Sequence, residues 1–409
     1  MKANSVSSKQ IFLICWIILF TFEDFLTQIF APFSYIDEAP LILFIFFWLI
    51  KTLRYGKIHL PKRKNRGYVA AIIIFTLTGL IGNLIFHYQP ANLVIIDLLS
   101  NLKFFGTIAF FSMWVNEGNL DTKAIPKTAQ ILSILLFVLF LADRVLIIWP
   151  AEVRYGIKSA RLFYNHPTYL AGVCAFLIAI MAMYNANKYK AFILMDVVIM
   201  LFTLRSKAIV SAILFVMLYV LIKQFHGKLK KWQIAVVAVI GVACGWSQIY
   251  FYFISLSGAS ARSVMLLTSF VIMKDYFPIG TGFGTYASHS AAEIYSPVYT
   301  KYGFENIYEL RNSSVGTFFD DQFWPIIFGQ TGVIGTICYM YILWYLFKMI
   351  QKLFKIDQDC YLSALFVFIY LLISSIAEPA FNNSVAIPLA MVIAISMKRT
   401  DSNRQDAKI

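Results

Sequence analysis

Long apolar runs alternate with short polar links along this chain, and one long polar stretch breaks the rhythm. The runs fall at about 10–30, 36–53, 68–87, 91–115, 128–149, 167–187, 189–203, 207–223, 232–254, 323–349, 360–377 and 384–397. A helix needs about 20 residues to cross the hydrocarbon layer, and most runs reach that length; 189–203 and 384–397 are shorter. The pattern predicts an all-α, polytopic membrane protein of about 12 transmembrane helices in a single membrane domain, 1–409. The first run has no small-x-small cleavage site and carries Glu23 and Asp24, so it reads as a retained membrane segment.

The interruption, 255–322, lies between the ninth and tenth runs and reads as a large extracytoplasmic loop. Within it, 261–277 reads as a helix, with no internal Gly or Pro and with Pro278 to end it. Most of its positions are apolar while Arg262 and Ser269 share a face, which fits a helix lying in the membrane interface. Gly280-Thr281-Gly282-Phe283-Gly284 follows no strand and precedes no Lys-Ser/Thr. It reads as a tight turn, neither a Walker loop nor a dinucleotide fingerprint.

Composition agrees with the pattern. The 409 residues are 60% hydrophobic and only 14% charged, against about 25% charged in soluble domains, and the mean hydropathy is +0.71. The net charge of +14 is set by basic clusters after the even-numbered runs, such as Lys51 to Arg66, Lys188 with Lys190, and Lys398 with Arg399. The positive-inside rule then places both termini in the cytoplasm and gives the charge a topological meaning, with no role toward nucleic acid. It also requires the chain to reverse between 189–203 and 207–223, near Leu204-Arg205-Ser206-Lys207. Five cysteines show neither metal-site nor disulfide spacing.

Against that trend, Arg154, Lys158, Arg161, Arg205, Lys207, Arg262 and Arg311 fall on the outer side. Cations stationed there point to an anion. Arginine's planar fork matches phosphate oxygens, and lysine adds a point charge. Arg205, Lys207, Arg262 and Arg161 are the candidates to hold a diphosphate and to stabilise it as a leaving group; Arg154 and Lys158 read as lipid contacts. Asp320 and Asp321, where the loop meets the tenth run, are placed to accept a proton from an attacking hydroxyl, to pair with an outer arginine, or to cap the helix. His166, before Pro167, reads as a cap or interfacial residue, with substrate contact as the alternative. Arg311, Tyr286 and His289 are further candidate substrate contacts, the aromatic ones suiting sugar rings as well as the membrane interface. Asp357-Gln358-Asp359 spells a metal-holding pattern but sits in a short cytoplasmic turn, and no metal site is expected. Asp37-Glu38 is an acidic pair in the first outer loop; Glu23, Asp24 and Glu378 are further intramembrane acids, and Asp97 and Lys103 read as ties within the bundle.

Several segments, in this order, resemble the O-antigen polymerase and O-antigen ligase superfamily. They are Arg161-Leu162-Phe163-Tyr164-Asn165-His166-Pro167-Thr168-Tyr169-Leu170, Leu204-Arg205-Ser206-Lys207-Ala208, Ser260-Ala261-Arg262, Pro278 through Gly284, and Asp320 through Gly335. The likeness is closest to capsule and exopolysaccharide repeat-unit polymerases of the Wzy type. It covers about 160–335, with the helix count extending it to the whole chain. The resemblance implies a bacterial cytoplasmic (inner) membrane glycosyltransferase that joins undecaprenyl-diphosphate-linked oligosaccharides at the outer face, with inversion and with neither metal nor other cofactor. Its implied surroundings are the lipid bilayer, a flippase and a chain-length regulator.

By this resemblance Arg262 matches the arginine heading the loop helix, and Arg205 or Lys207 the basic residue after the seventh helix. The family often has Ser-Arg where this chain has Ser206-Lys207. The ligases carry a histidine near the end of the loop, where this chain has Asp320-Asp321-Gln322, a departure that favours a polymerase. The alternatives are an O-antigen ligase, a polyprenyl-monophosphate-sugar glycosyltransferase relying on Asp37-Glu38, and a lipid-oligosaccharide flippase.

Overall fold

Proline, glycine and left-handed residues punctuate the chain where its helices begin and end. Pro167 occupies the first position of its helix, where no hydrogen-bond donor is missed. Gly56, in the left-handed region, closes the helix before it. The computed structural model describes residues 8–56, 65–115, 123–225, 260–311 and 318–406, with isolated positions 227, 239, 246 and 250. The ninth apolar run, 232–254, and the opening of the polar stretch, 255–259, lie outside the described residues, apart from those isolated positions.

The helices are α1 (Ser8–Ile29), α2 (Ala39–Tyr55), α3 (Arg66–Phe86), α4 (Ala91–Trp114), α5 (Ala124–Leu146), α6 (Pro167–Asn185), α7 (Lys190–Phe202) and α8 (Ser206–Tyr219). There follow α9 (Ala261–Asp275), the short α10 (His289–Glu293) and α11 (Pro297–Lys301), then α12 (Phe323–Leu353), α13 (Gln358–Ser374) and α14 (Ala386–Asp406). A two-stranded hairpin, Val153–Arg154 against Ile157–Lys158, lies between α5 and α6. Among the described residues, seven helices are long and apolar enough to cross a membrane. The chain is an all-α membrane protein.

Helix α7 has 13 residues, about 20 Å at 1.5 Å per residue, well short of the hydrocarbon layer. It does not run on into α8. The backbone turns at Leu204, whose φ of +54° is left-handed. The expected reversal at 204–207 is therefore present. Helix α6 is enclosed by neighbours, its side chains from Leu170 to Met183 almost wholly buried. It packs on α7, α5 and α13, while α3 packs on α12 and α4 on α2 and α14. Since the N-termini of α6, α8, α9 and α12 share one end of the bundle with the long polar loop, that end is called the loop end.

The loop is a packed unit. Tyr299 stacks on Phe319 at 4.4 Å and on Phe304 at 5.3 Å. Tyr286, fully buried, donates its hydroxyl to the Met265 carbonyl at 2.7 Å. This corrects Tyr286 as a substrate contact. An amphipathic ring in a long loop reads as exposed, yet here it fills a core between α9 and α12 and no sugar can reach it. On α9, Val264, Met265 and Ile272 face that core, while Leu267, Phe270 and Val271 remain about half exposed. A helix apolar on its outward face is suited to lie against lipid.

The glycine turn fastens the loop. Helix α12 kinks at Gly332, where φ is 58° and ψ −155°. A kink releases carbonyls from the helical ladder. The loop takes them up: Thr281 N–H donates to the Gly329 carbonyl at 3.0 Å and Gly282 N–H to the Gln330 carbonyl at 2.9 Å. On the other side Asn83 of α3 brackets Phe283, accepting from its N–H at 2.8 Å and donating to its carbonyl at 2.9 Å. Gly284 N–H donates to Asp97 of α4 at 2.9 Å. A Cβ on Gly82 would lie 2.7 Å from the Gly282 nitrogen, so glycine is what lets α3 touch the turn. With these amides committed to α3, α4 and α12, the turn is a fastening and has no donors left to cradle phosphate.

Candidate active site

Three helix N-termini meet at the loop end, and each begins with a cation or an imidazole. Arg205 is the N-cap residue of α8 and makes no side-chain cap bond. Lys207 is the second residue of that helix. Arg262 is the second residue of α9, whose N-cap Ser260 accepts from Ser263 N–H. His166 caps α6, its ring accepting from Thr168 N–H. Unpaired N–H groups and the helix dipole make such ends attractive to anions. Lys207 lies within electrostatic reach of both Arg205 and Arg262, and His166 within reach of Arg205, Lys207, Arg154 and Glu152. The structure thus gathers Arg205, Lys207, Arg262 and His166 at one place.

Each of these cations faces a carboxylate. Arg205 pairs with Glu152, just before the hairpin's first strand, and Lys207 with Glu378, both in close contact. Arg262 pairs with Asp321 at 3.2 Å. The Nε–H groups of Arg205 and Arg161 are buried without a partner among the described residues. A buried donor with nothing to bond is costly, and an anion would satisfy it.

Burial, then the charges of Arg205 and Lys207, push the His166 imidazole down to about 4. His166 is neutral at pH 7. Its Nδ1 accepts from Thr168 N–H at 3.3 Å and lies 2.7 Å from the Thr168 hydroxyl, so its proton is on Nε2. Burial raises the Asp321 carboxyl above its usual range, with Arg262 opposing. Asp320 joins the same region through Tyr169, which lies within reach of Asp24, Glu378, Glu23 and Asp320. A small cleft, lined by Arg262, Met265, Phe318, Phe319, Asp321 and Gln322, opens beside this pair.

Other candidates fall elsewhere. Arg161 donates to the Asn165 carbonyl at 3.3 Å within its own turn. Arg311 is exposed, its guanidinium 5.9 Å from the Tyr308 ring, and His289 is exposed at the start of α10. Lys158 is tied to Asp143 at 2.9 Å and Arg154 to Glu152 at 3.1 Å. Asp37 and Glu38 both grip Lys103, Glu38 at 3.1 Å. Asp357 caps α13, and Asp359 pairs with Lys223 at 3.0 Å. No group of three metal-ligating side chains occurs among the described residues.

The roles of Glu152 and Glu378 as partners were not read from the sequence. Glu378 was visible as an acid beside Pro379, but its lysine is 171 positions away in the chain. No protein-family model matches the chain, and no curated protein matches it.

Proposed function

We propose that this protein polymerises undecaprenyl-diphosphate-linked oligosaccharide repeat units at the outer face of the bacterial cytoplasmic membrane, with the loop end outward. About 12 spans with both termini inside would suit that orientation. The observation that carries the reading is the meeting of Arg205, Lys207 and Arg262 with three helix N-termini at one site beside Asp320 and Asp321.

In this reading the donor is the growing chain on undecaprenyl diphosphate. A hydroxyl of the incoming unit attacks the donor's anomeric carbon. The carbon–oxygen bond to the diphosphate breaks, and Arg205, Lys207 and Arg262 stabilise the charge that develops on the leaving oxygen. Asp321, or Asp320 beside it, takes the hydroxyl proton. Neutral His166 donates from Nε2 to the same diphosphate. None of these steps calls on a metal or another cofactor.

A polyprenyl-monophosphate-sugar transferase would draw on Asp37 and Glu38. Both are engaged by Lys103 inside the bundle, which favours the diphosphate reading. The test is purified protein with lipid-linked repeat units and a chelator, followed by sizing. A ladder of lengths supports polymerisation. Transfer to a lipid A core would make it a ligase, and unchanged single units would overturn both.

A further inference from the structure

Of the three carboxylates that close the cationic site, Glu378 is the most sheltered. Its side chain is 19% exposed, against 33% for Asp321 and 43% for Glu152. Its partner Lys207 is likewise the most sheltered cation, at 12%, against 16% for Arg205 and 23% for Arg262. Screening by water weakens exposed pairs, so a competing anion matters most where both partners are hidden.

Glu378 is also fixed in place. It lies in the link between α13 and α14 rather than in either helix. Its N–H donates to the Ser374 carbonyl at 3.0 Å, and its own carbonyl accepts from Ala380 N–H at 2.7 Å. Pro379 follows and limits the backbone further. The carboxylate is therefore presented to Lys207 by a held turn.

We infer that Glu378 is a positioning residue: it holds Lys207 at the loop end of α8 while the site is empty, and a diphosphate takes its place there. This rests on the anion-binding reading of the site. Without Glu378, Lys207 would be a sheltered cation with Arg205 and Arg262 nearby and no local counter-charge. With it, Lys207 has an acid in contact, as Arg262 has Asp321 and Arg205 has Glu152, the last shared with Arg154. A diphosphate entering the site offers oxygens to all three cations at once and competes with each acid. The Glu378 carboxylate, once displaced, remains close to Tyr169, on the side where Asp320 also lies.

The test uses the full-length protein in nanodiscs, with inorganic pyrophosphate titrated calorimetrically into the native protein, Glu378→Gln, Lys207→Gln and the double variant. Removing the competing charge should tighten pyrophosphate binding about tenfold, within the usual range of coupling between two ligands. Lys207→Gln should weaken it about as much, and adding Glu378→Gln to Lys207→Gln should then do nothing, since the acid acts through that lysine. With lipid-linked repeat units, Glu378→Gln should lower KM and leave kcat less changed. A purely structural role for Glu378 would weaken binding or leave it alone.

Should Glu378→Gln not fold, Glu378→Asp keeps the charge but shortens its reach, and about threefold tighter binding is expected. Unchanged or weaker pyrophosphate affinity in the folded variants overturns the inference, as does failure of native and variant proteins alike to bind pyrophosphate. Tightened binding without any polymer ladder would sink the polymerase reading and leave the exchange standing.

Discussion

Gly280 and Gly332 pass so closely that neither has room for a side chain. A Cβ on Gly280 would lie 2.5 Å from the Gly332 nitrogen, and one on Gly332 would lie 2.4 Å from the Gly280 nitrogen. Both are left-handed, with φ of +74° and +58°. The contact seats the loop on the kink of α12. Gly332→Ala should destabilise the protein by about 3 kcal/mol, combining backbone strain with a clash against main chain. Gly156, also left-handed but in open space, is the control; Gly156→Ala should cost about 1 kcal/mol. Thermal unfolding in detergent compares the two.

Arg262→Ala should leave single repeat units on the lipid while the protein still inserts. Loss of one donor to a developing negative charge lowers turnover by about 10²–10³-fold. Arg262→Lys keeps the charge without the fork and should recover only part of that loss. Normal polymer length in Arg262→Ala, read on a gel of lipid-linked products, would remove Arg262 from the site.

Asp321 has its carboxyl raised by burial, with Arg262 opposing. As the proposed proton acceptor it would work only when ionised, so activity should fall as pH drops through its pKa. The acid limb of the kcat profile should therefore lie above the ordinary aspartate value of about 3.9. Asp321→Asn should lower kcat by about 10²–10⁴-fold and abolish that limb. If Asp320→Asn does this instead, the two aspartates exchange roles.

His166 titrates near 4 in the folded protein, below the unfolded value of about 6.5. The unfolded chain therefore binds the proton first. The stability that His166 contributes is fully present above about 6.5 and is lost as pH falls through that window toward 4. A diphosphate beside Arg205 and Lys207 would cancel the charges that help depress it. Adding pyrophosphate should move the His166 imidazole signal, followed by NMR, to a higher pKa. An unmoved titration would place the anion elsewhere.

Lys103 is 5% exposed and is gripped by Asp37 and Glu38. Removing one partner of a buried ion pair costs about 3–5 kcal/mol, because the other charge stays behind. Lys103→Met should therefore destabilise the fold, and adding Asp37→Asn should restore part of the loss. Additive destabilisation in the double variant would show that the two side chains act independently.

The helices were legible because their apolar runs are long and bounded by clear signals. Pro167 marks α6, and the cations at 205–207 imposed a reversal that no glycine or proline announced. The cationic residues were legible one at a time, as charges standing apart from the basic clusters that follow the even-numbered runs. Their pairing was not. Lys207 with Glu378, and Lys103 with Asp37, join segments whose meeting depends on how whole helices pack. Tyr286 misled because a tyrosine looks the same in sequence whether its ring meets solvent or stacks in a core. The glycine turn was rightly read as a turn, but its use as a fastener depends on Asn83 and Asp97, far away in the chain.

Fastened to α3, α4 and α12 together, the loop travels only as those helices do. A bilayer too thick or too thin for its helices makes them tilt, at a modest cost per ångström of mismatch. Any tilt of α3 against α12 would then carry Arg262 with it, and under the proposed polymerase reading acyl-chain length would become a variable of turnover. Nanodiscs graded from short to long lipids would read it out directly, and turnover that is flat across the series would mean the anchoring absorbs the strain.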